Sequence, residues 1–440
     1  LGDQVSTAQL LEDWSATLKG IVSGRAPPKL GLYVHIPFCT KACTFCYCAK
    51  TDDFDRQRFM LYVERLSEQI QLFGPLFEGH RFTSVYFGGG TPSLLTPPAM
   101  ERLFTELHDT FHIPSGTQII FEGNPASLSE RKIQLLAERG RVTRLTVGVQ
   151  TLDEEVQARV HRWNTHAQVA TAVEAGRTHG IDHVNTDLMA GLPGQSMESF
   201  QRDFEFLMSL DPDSIHINPY RPLPRTGLER AGTSMEVEQL ELRERMLTWG
   251  RRQLREGGHA SGMGQAPRKT RDAANIQEYD LRRQNSSLLG LGFPASSHAF
   301  SRSFYQPRMR GGFDETLSQE LHGEPEWMAV PSSEVEERHK YLVSNLRTGF
   351  SRYEFRDLFG LDVTEAVPEM LRTLQDLGVA SLGDEELYSR TGTHAENLIY
   401  RVLLYSPMMM ERIDRKWGGL YEPDIDYRER LKTLIEAQRD

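Results

Sequence analysis

Long apolar runs are missing from this 440-residue chain: no stretch reaches the roughly 18 apolar residues that a membrane-spanning helix needs. No basic segment followed by an apolar one opens it either, so secretion is not expected and the reading is cytoplasmic. Positive charge is in short supply. Fifty lysines and arginines face 61 acids for a formal charge of −11, which offers no overall attraction to phosphate backbones and makes nucleic acid a poor default partner. Cysteine is scarcer still, and the four present fall within ten residues, at Cys39, Cys43, Cys46 and Cys48. A disulfide framework would spread them along the chain, so the cluster points to an inorganic site in a reducing compartment. The chain begins at Leu1 rather than a methionine, which leaves room for a preceding segment. What is plentiful is ordinary core material: 39% hydrophobic and 9% aromatic residues beside 25% charged ones, enough to bury a large interior.

From residue 30 to about 220, short β-branched runs alternate with longer amphipathic segments, the pattern of β/α units around a parallel sheet. Strands are expected at 32–36, 82–87, 118–121, 144–148, 183–188 and 214–218, with helical patterns between them such as 55–72 and 98–108. Six units fall short of a closed eight-strand barrel. Residues 232–257 read as a long charged helix, and 258–285, rich in Gly, Arg, Asn and Gln, as a loop over the site. From about 333 the pattern turns to short helices (334–346, 352–359, 363–377) and a hairpin-like stretch at 379–388, a small winged-helix-like α+β domain. The division expected is an N-terminal extension (1–29), a partial (β/α)6 barrel (30–230), a helix and covering segment (231–330) and the winged-helix-like domain (331–440).

In Cys39-Thr-Lys-Ala-Cys43-Thr-Phe-Cys46, spacings of four and three residues let one loop wrap one small cluster. Thiolates are the standard ligands of iron–sulfur cubanes. Three of them leave one iron of a four-iron cluster open, and an open position is where chemistry happens. A structural zinc site would want a second Cys or His pair about 12–20 residues on, and none follows. Cys48 is separated from Cys46 by one residue and is expected to point elsewhere. The loop directly follows the first strand, at the face where barrel-type folds build their sites. Gly88-Gly89-Gly90-Thr91 follows the second strand, while Glu122, Gln150 and Asp187 end the third, fourth and fifth. One polar residue at a strand end is most simply a helix cap; three at one rim point to a ligand.

CxxxCxxC after a first strand, within YVHIPFCTKACTFCYC, resembles the radical S-adenosylmethionine (SAM) family, and in particular the subfamily of oxygen-independent coproporphyrinogen III dehydrogenase and its relatives. The resemblance covers about residues 30–400. It implies a 4Fe–4S cluster held by Cys39, Cys43 and Cys46 and a SAM cradled by Gly88, Gly89, Gly90, Thr91, Glu122, Gln150, Arg162 and Asp187. Arg162 would take the SAM carboxylate, with Arg159 as competitor, and Tyr33 would lie near the sulfonium. Tyr33 and Cys48 are the catalytic candidates. Ile276 and Gln277, with the Gly290–Leu291–Gly292 stretch, resemble the lining of a second SAM site, so two SAM molecules are expected. His298 is read as a hydrogen-bonded interior histidine and Met408–Met410 as packing.

The chain departs from the dehydrogenase in two places. Nothing in residues 1–30 matches its Pro-Arg-Tyr-Thr-Ser-Tyr-Pro segment, and Ser261–Pro267 stands where it has Asp-His-Phe-Ala. The leading expectation is therefore reductive cleavage of SAM to a 5′-deoxyadenosyl-derived radical by a class C methyl or methylene transferase acting on a small natural product. Oxidative decarboxylation of coproporphyrinogen III is the alternative, and heme trafficking without turnover the non-enzyme reading. An electron donor such as flavodoxin or ferredoxin is implied, and a monomer is expected.

Overall fold

The computed structural model describes residues 2–222, 226–230, 237–257, 260–262, 265–268, 286–345, 349–376, 378 and 380–389. Ile276, Gln277 and Met408–Met410 lie outside the described residues.

Six parallel strands lie side by side in chain order: β2 (Leu30–Ile36), β3 (Ser84–Gly89), β4 (Gln118–Gly123), β5 (Arg144–Gln150), β6 (His183–Ala190) and β7 (Ser214–Pro219). β1 (Asp3–Val5) precedes them and belongs to the far edge of the same sheet. Helices α2 (Arg56–Phe73), α3 (Pro97–Thr110), α4 (Glu130–Glu138), α5 (Glu154–Val160), α6 (His166–Thr178) and α7 (Met197–Ser209) return the chain between strands, and α1 (Thr7–Val22) precedes the first of the six. The helices start where local chemistry dictates. Asp55, Thr96, Ser129, Thr165 and Ser196 each cap a first turn with a side-chain oxygen, satisfying a backbone N–H that has no partner within the helix. Along β2 the period is two: Leu32, Val34 and Ile36 join the apolar core while Tyr33 and His35 hydrogen-bond to each other on the opposite face. β6 repeats the device, with Val184 and Leu188 in the core and Asn185 bonded to Asp187 on the other side.

All six expected strands are present, and each runs one or two residues further in at least one direction than its apolar run. The sheet itself goes well beyond them. Among the described residues it has thirteen strands. The strand at Ser287–Leu291 pairs parallel with β2, and three antiparallel strands (Ser297–Ala299, Ser303–Pro307, Trp327–Pro331) continue to β1. At the other edge, Ala260–Gly262 and Gln265–Arg268 add beside β7, in a stretch expected to be loop. These short strands were invisible because pairing partners far away in sequence supply the hydrogen bonds that their own composition does not advertise. Because this sheet takes strands from the first three parts of the expected division, the boundaries at 29/30 and 230/231 remain a proposal.

The C-terminal portion has its own apolar cluster around Tyr341, Phe355, Phe359 and Leu371, helices at Glu334–Asn345, Arg352–Phe359, Val363–Ala366 and Pro368–Asp376, and a three-stranded antiparallel sheet. It is the winged-helix-like α+β unit expected. The helix expected over 363–377 is two, with Pro368 at the break, because proline removes an N–H and disfavours helix in the residue before it. No helix among the described residues is long and apolar enough to cross a membrane.

Candidate functional site

The cysteine loop is tied at its base. Cys39 N–H donates to the Thr51 carbonyl and Thr51 N–H to that of Pro37, each at 2.8 Å, so residues 39–51 leave and re-enter beside the end of β2. Phe38, fully buried, anchors the entry against Phe59 and Tyr62. The loop's middle is docked as well: Thr44 N–H donates to Val160 O (3.1 Å) at the end of the helix Glu154–Val160, and Leu228 N–H to Thr44 O (3.0 Å). Cys39 is buried, Cys43 and Cys46 half-buried, and Cys48 exposed.

Polar groups converge on these thiols. Thr91 Oγ1 lies 3.3 Å from Cys39 Sγ, and an Arg162 Nη1 lies 3.8 Å from Cys43 Sγ. Lys50 Nζ donates to the carbonyls of Cys46 (2.9 Å) and Cys48 (3.3 Å). Burial pushes the Cys39 thiol up to about 11. A hydrogen bond with Cys48, helped by Lys50, holds Cys46 down to about 5, and Cys48 is correspondingly pushed up. Cys48, expected to point elsewhere, instead hydrogen-bonds with Cys46, because one intervening residue is enough for the loop to bring the two side chains together.

The three glycines at the end of β3, Gly88 and Gly89 within it and Gly90 just after it, pack tightly against the end of β2 and the residues that follow it. A Cβ on Gly88 would sit 3.2 Å from Tyr33 Oη, one on Gly89 (φ +114°) 2.8 Å from His35 Nε2, and one on Gly90 2.7 Å from Phe38 O. Gly90 N–H also donates to Ile36 O at 2.7 Å. Close packing of two strand ends thus accounts for the glycines before any ligand is invoked. His35 in turn is held by Tyr33 (3.0 Å) and the Ala49 carbonyl (2.9 Å), and burial pulls its pKa down to about 4.

Glu122 hydrogen-bonds to Tyr86, which stands beside Tyr33. Burial pushes its carboxyl up to about 7; Tyr86 opposes this, and the charges of Asp187 and Cys46 reinforce it. Gln150 ends β5 with φ +71°, a sparsely populated conformation for a non-glycine residue, at a β-bulge against β6. Arg162 reaches the same spot, donating through Nη2 to the Gly148 carbonyl, and its buried Nε has no partner among the described residues. Arg159 is exposed and packs against Gly194, so of the two candidate arginines it is Arg162 that enters the site. Asp187 accepts from Asn185 Nδ2 at 2.7 Å and lies 3.9 Å from His216 Nδ1.

The rim thus gathers Tyr33, Thr91, Glu122, Gln150, Arg162 and Asp187 around the cysteine loop. Sequence reasoning missed Tyr86, His35, Lys50, Asn185 and His216. The period-two rule could have found the first two, since Tyr86 precedes Gly88 by two and His35 follows Tyr33 by two. Among the described residues no group of three His, Cys, Asp or Glu is arranged to hold a single metal ion. A four-iron cluster is wider than one ion, and three thiols on one pinned loop, beside an arginine with an orphaned buried Nε, suit that larger group and a carboxylate-bearing partner.

Residues 33–207 match the profile of the radical SAM superfamily. The chain carries a radical SAM domain. Such domains use a 4Fe–4S cluster and SAM. The chain is 32% identical over 200 residues to the oxygen-independent coproporphyrinogen III oxidase of Helicobacter pylori, covering 45% of this chain and 44% of that protein. Against the enzyme of the same name from Pseudomonas aeruginosa it is 36% identical over 206 residues, 46% of this chain and 44% of the relative. A heme chaperone of Lactococcus lactis is 35% identical over 178 residues, 40% and 45% of the two chains. These matches span under half the length of the curated relatives. Among solved structures, the coproporphyrinogen III oxidase of Escherichia coli, described as a radical SAM enzyme, superposes with a TM-score of 0.70 over 87% of this chain and 91% of its own at 24% identity, a likeness of fold. Methyl or methylene transfer, the leading expectation, has no support in these relatives, and coproporphyrinogen oxidation has more. The two departures that favoured transfer fall in residues 1–30 and 261–267, both outside residues 33–207 that match the family profile.

Proposed function

We propose that this radical SAM enzyme oxidises a small-molecule substrate by hydrogen abstraction, with coproporphyrinogen III the first substrate to test. The observation that carries the reading is the convergence of the three-cysteine loop with Glu122, Gln150, Arg162 and Asp187 at one strand-end rim, joined to the kinship with named coproporphyrinogen oxidases. When bound, the cluster and SAM supply one-electron cleavage of a sulfonium S–C bond and hydrogen abstraction by the resulting carbon radical.

Cys39, Cys43 and Cys46 would hold the cluster, with Thr91 donating to the Cys39 sulfur and Lys50 fixing the loop backbone. Arg162 would take the SAM carboxylate with the guanidinium N–H groups it does not spend on Gly148, a planar fork suited to that group. Glu122 and Asp187 would accept from the SAM ammonium and hydroxyl groups. The packed aromatic layer of Phe38, Phe59 and Tyr62 behind the loop keeps water away from the cluster side. A second SAM, beside the strand Ser287–Leu291 where Gly290 pairs with Tyr33, and an electron-donor protein complete the proposal.

Anaerobic reconstitution followed by SAM, dithionite and coproporphyrinogen III tests it. Formation of 5′-deoxyadenosine together with decarboxylated porphyrinogen supports the reading. S-adenosylhomocysteine or methylthioadenosine without decarboxylation would return methyl or methylene transfer to first place, and stoichiometric heme retention without SAM cleavage would make the protein a chaperone.

A further inference from the structure

Beneath Asp187 runs a chain of buried side chains that no part of the proposed activity uses. His183, Asn185 and Asp187 occupy alternate positions of β6 and so share one face, and Ser214 and His216 stand opposite Asn185 and Asp187 on β7. His183 Nε2 lies 2.8 Å from Ser214 Oγ, Ser214 Oγ 2.6 Å from Asn185 Oδ1, and Asn185 Nδ2 2.7 Å from Asp187 Oδ1. His183, Ser214 and Asn185 are buried, at 6%, 0% and 1% exposure, whereas Asp187 is partly open at the rim.

The donor and acceptor inventory orients every link. A carboxylate only accepts, so Asn185 must turn its NH₂ toward Asp187 and its carbonyl toward Ser214. Ser214 then has to spend its single proton on Asn185, so it can only accept from His183, whose Nε2 must carry the hydrogen. One pattern satisfies the whole line, and it ends on an acceptor.

The geometry points to His183, Ser214 and Asn185 as positioning residues that hold Asp187 as a fixed acceptor facing the barrel mouth, where it takes a hydroxyl or ammonium donor of SAM. The inference rests on the proposed reading that Asp187 contacts SAM, and adds to it that the contact is set from the floor of the sheet. A consequence is that Asp187→Asn is no mild change. Asn185 Nδ2 would claim the new amide's oxygen, leaving its NH₂ to face a ligand group that is itself a donor.

Equilibrium dialysis of SAM against anaerobic, cluster-loaded protein reads the effect. Asp187→Ala and Asp187→Asn should each weaken SAM binding about tenfold or more, Asn185→Ala nearly as much, and Ser214→Ala about threefold, with Ser214→Thr restoring the affinity because it keeps the hydroxyl. The decisive measurement is coupling: in an Asp187→Ala background, Asn185→Ala and Ser214→Ala should cost nothing further. Equal losses in both backgrounds, or no loss from Asn185→Ala and Ser214→Ala while Asp187→Ala weakens binding, overturn the relay and leave the SAM contact standing. Full SAM affinity in Asp187→Ala removes the contact itself, and the inference with it. Should Asn185→Ala not fold, the Ser214→Ala and Ser214→Thr pair answers the same question.

Discussion

Two glutamates in this molecule, one half-buried and one fully buried, have opposite surroundings. Glu122, at the rim, has one hydrogen-bond donor in Tyr86 and the charges of Asp187 and Cys46 near it, and its carboxyl is pushed up to about 7, chiefly by burial. Glu337, where the helix Glu334–Asn345 meets the sheet extension, accepts from His298 Nε2 (2.7 Å), Ser332 Oγ (2.8 Å) and Ser301 N–H (3.2 Å), with Lys340 Nζ 3.8 Å away. Burial alone would push Glu337 up as well, but His298, Lys340 and Ser332 together pull it down to about 2. One cluster surrounds its carboxylate with three donors and a lysine and clamps two parts of the chain; the other gives its carboxyl a single hydrogen-bond donor and sets it near two further acidic groups. What separates the two is how far the charge of each is satisfied.

The largest expected effect breaks the rim altogether. Cys39→Ala, Cys43→Ala and Cys46→Ala should each abolish bound iron and sulfide, while Cys48→Ala should keep both near the wild-type amount; cluster loss on replacing Cys48 would defeat the three-ligand assignment. Next, Glu337→Ala should lower unfolding stability by about 1–3 kcal/mol, since it removes the acceptor of buried His298 and Ser332 and the counter-charge of half-buried Lys340, and should leave SAM affinity of the folded fraction unchanged, as judged by denaturant melts and dialysis. Glu122→Gln should reverse that pattern, with SAM binding weakened about tenfold, roughly 1.4 kcal/mol, and little change in the melt at pH 4, where Glu122 is protonated and Gln is its neutral isostere. If both variants shifted stability alike, the contrast between the two clusters would be wrong.

The smallest effect is the pH dependence of stability without SAM. Glu122 binds its proton more tightly folded than unfolded, so its contribution is present at low pH and is lost as pH rises from about 4.5 to about 7. Glu337 does the reverse: its contribution is present above about 4.5 and is lost as pH falls toward about 2. Melts of Glu122→Gln and Glu337→Gln across pH 2–8 should each flatten one of these windows and leave the other.

The six parallel strands, the cysteine loop at the end of the first and the polar residues at the ends of the next ones could be read along the chain, because period-two burial and motif spacing are local properties. The spacing of Cys39, Cys43 and Cys46 can be read from the sequence alone. Tertiary structure decided what depends on meetings between distant residues. It brought Arg162, and not Arg159, to Gly148 and Cys43, and packed Gly88–Gly90 closely against Tyr33, His35 and Phe38. It placed His298 beside Glu337 across 39 residues and lined up His183, Ser214, Asn185 and Asp187 from two strands. A hydrogen bond selects its partner by position and direction within a few tenths of an ångström, and that information exists only once the sheet has set its register.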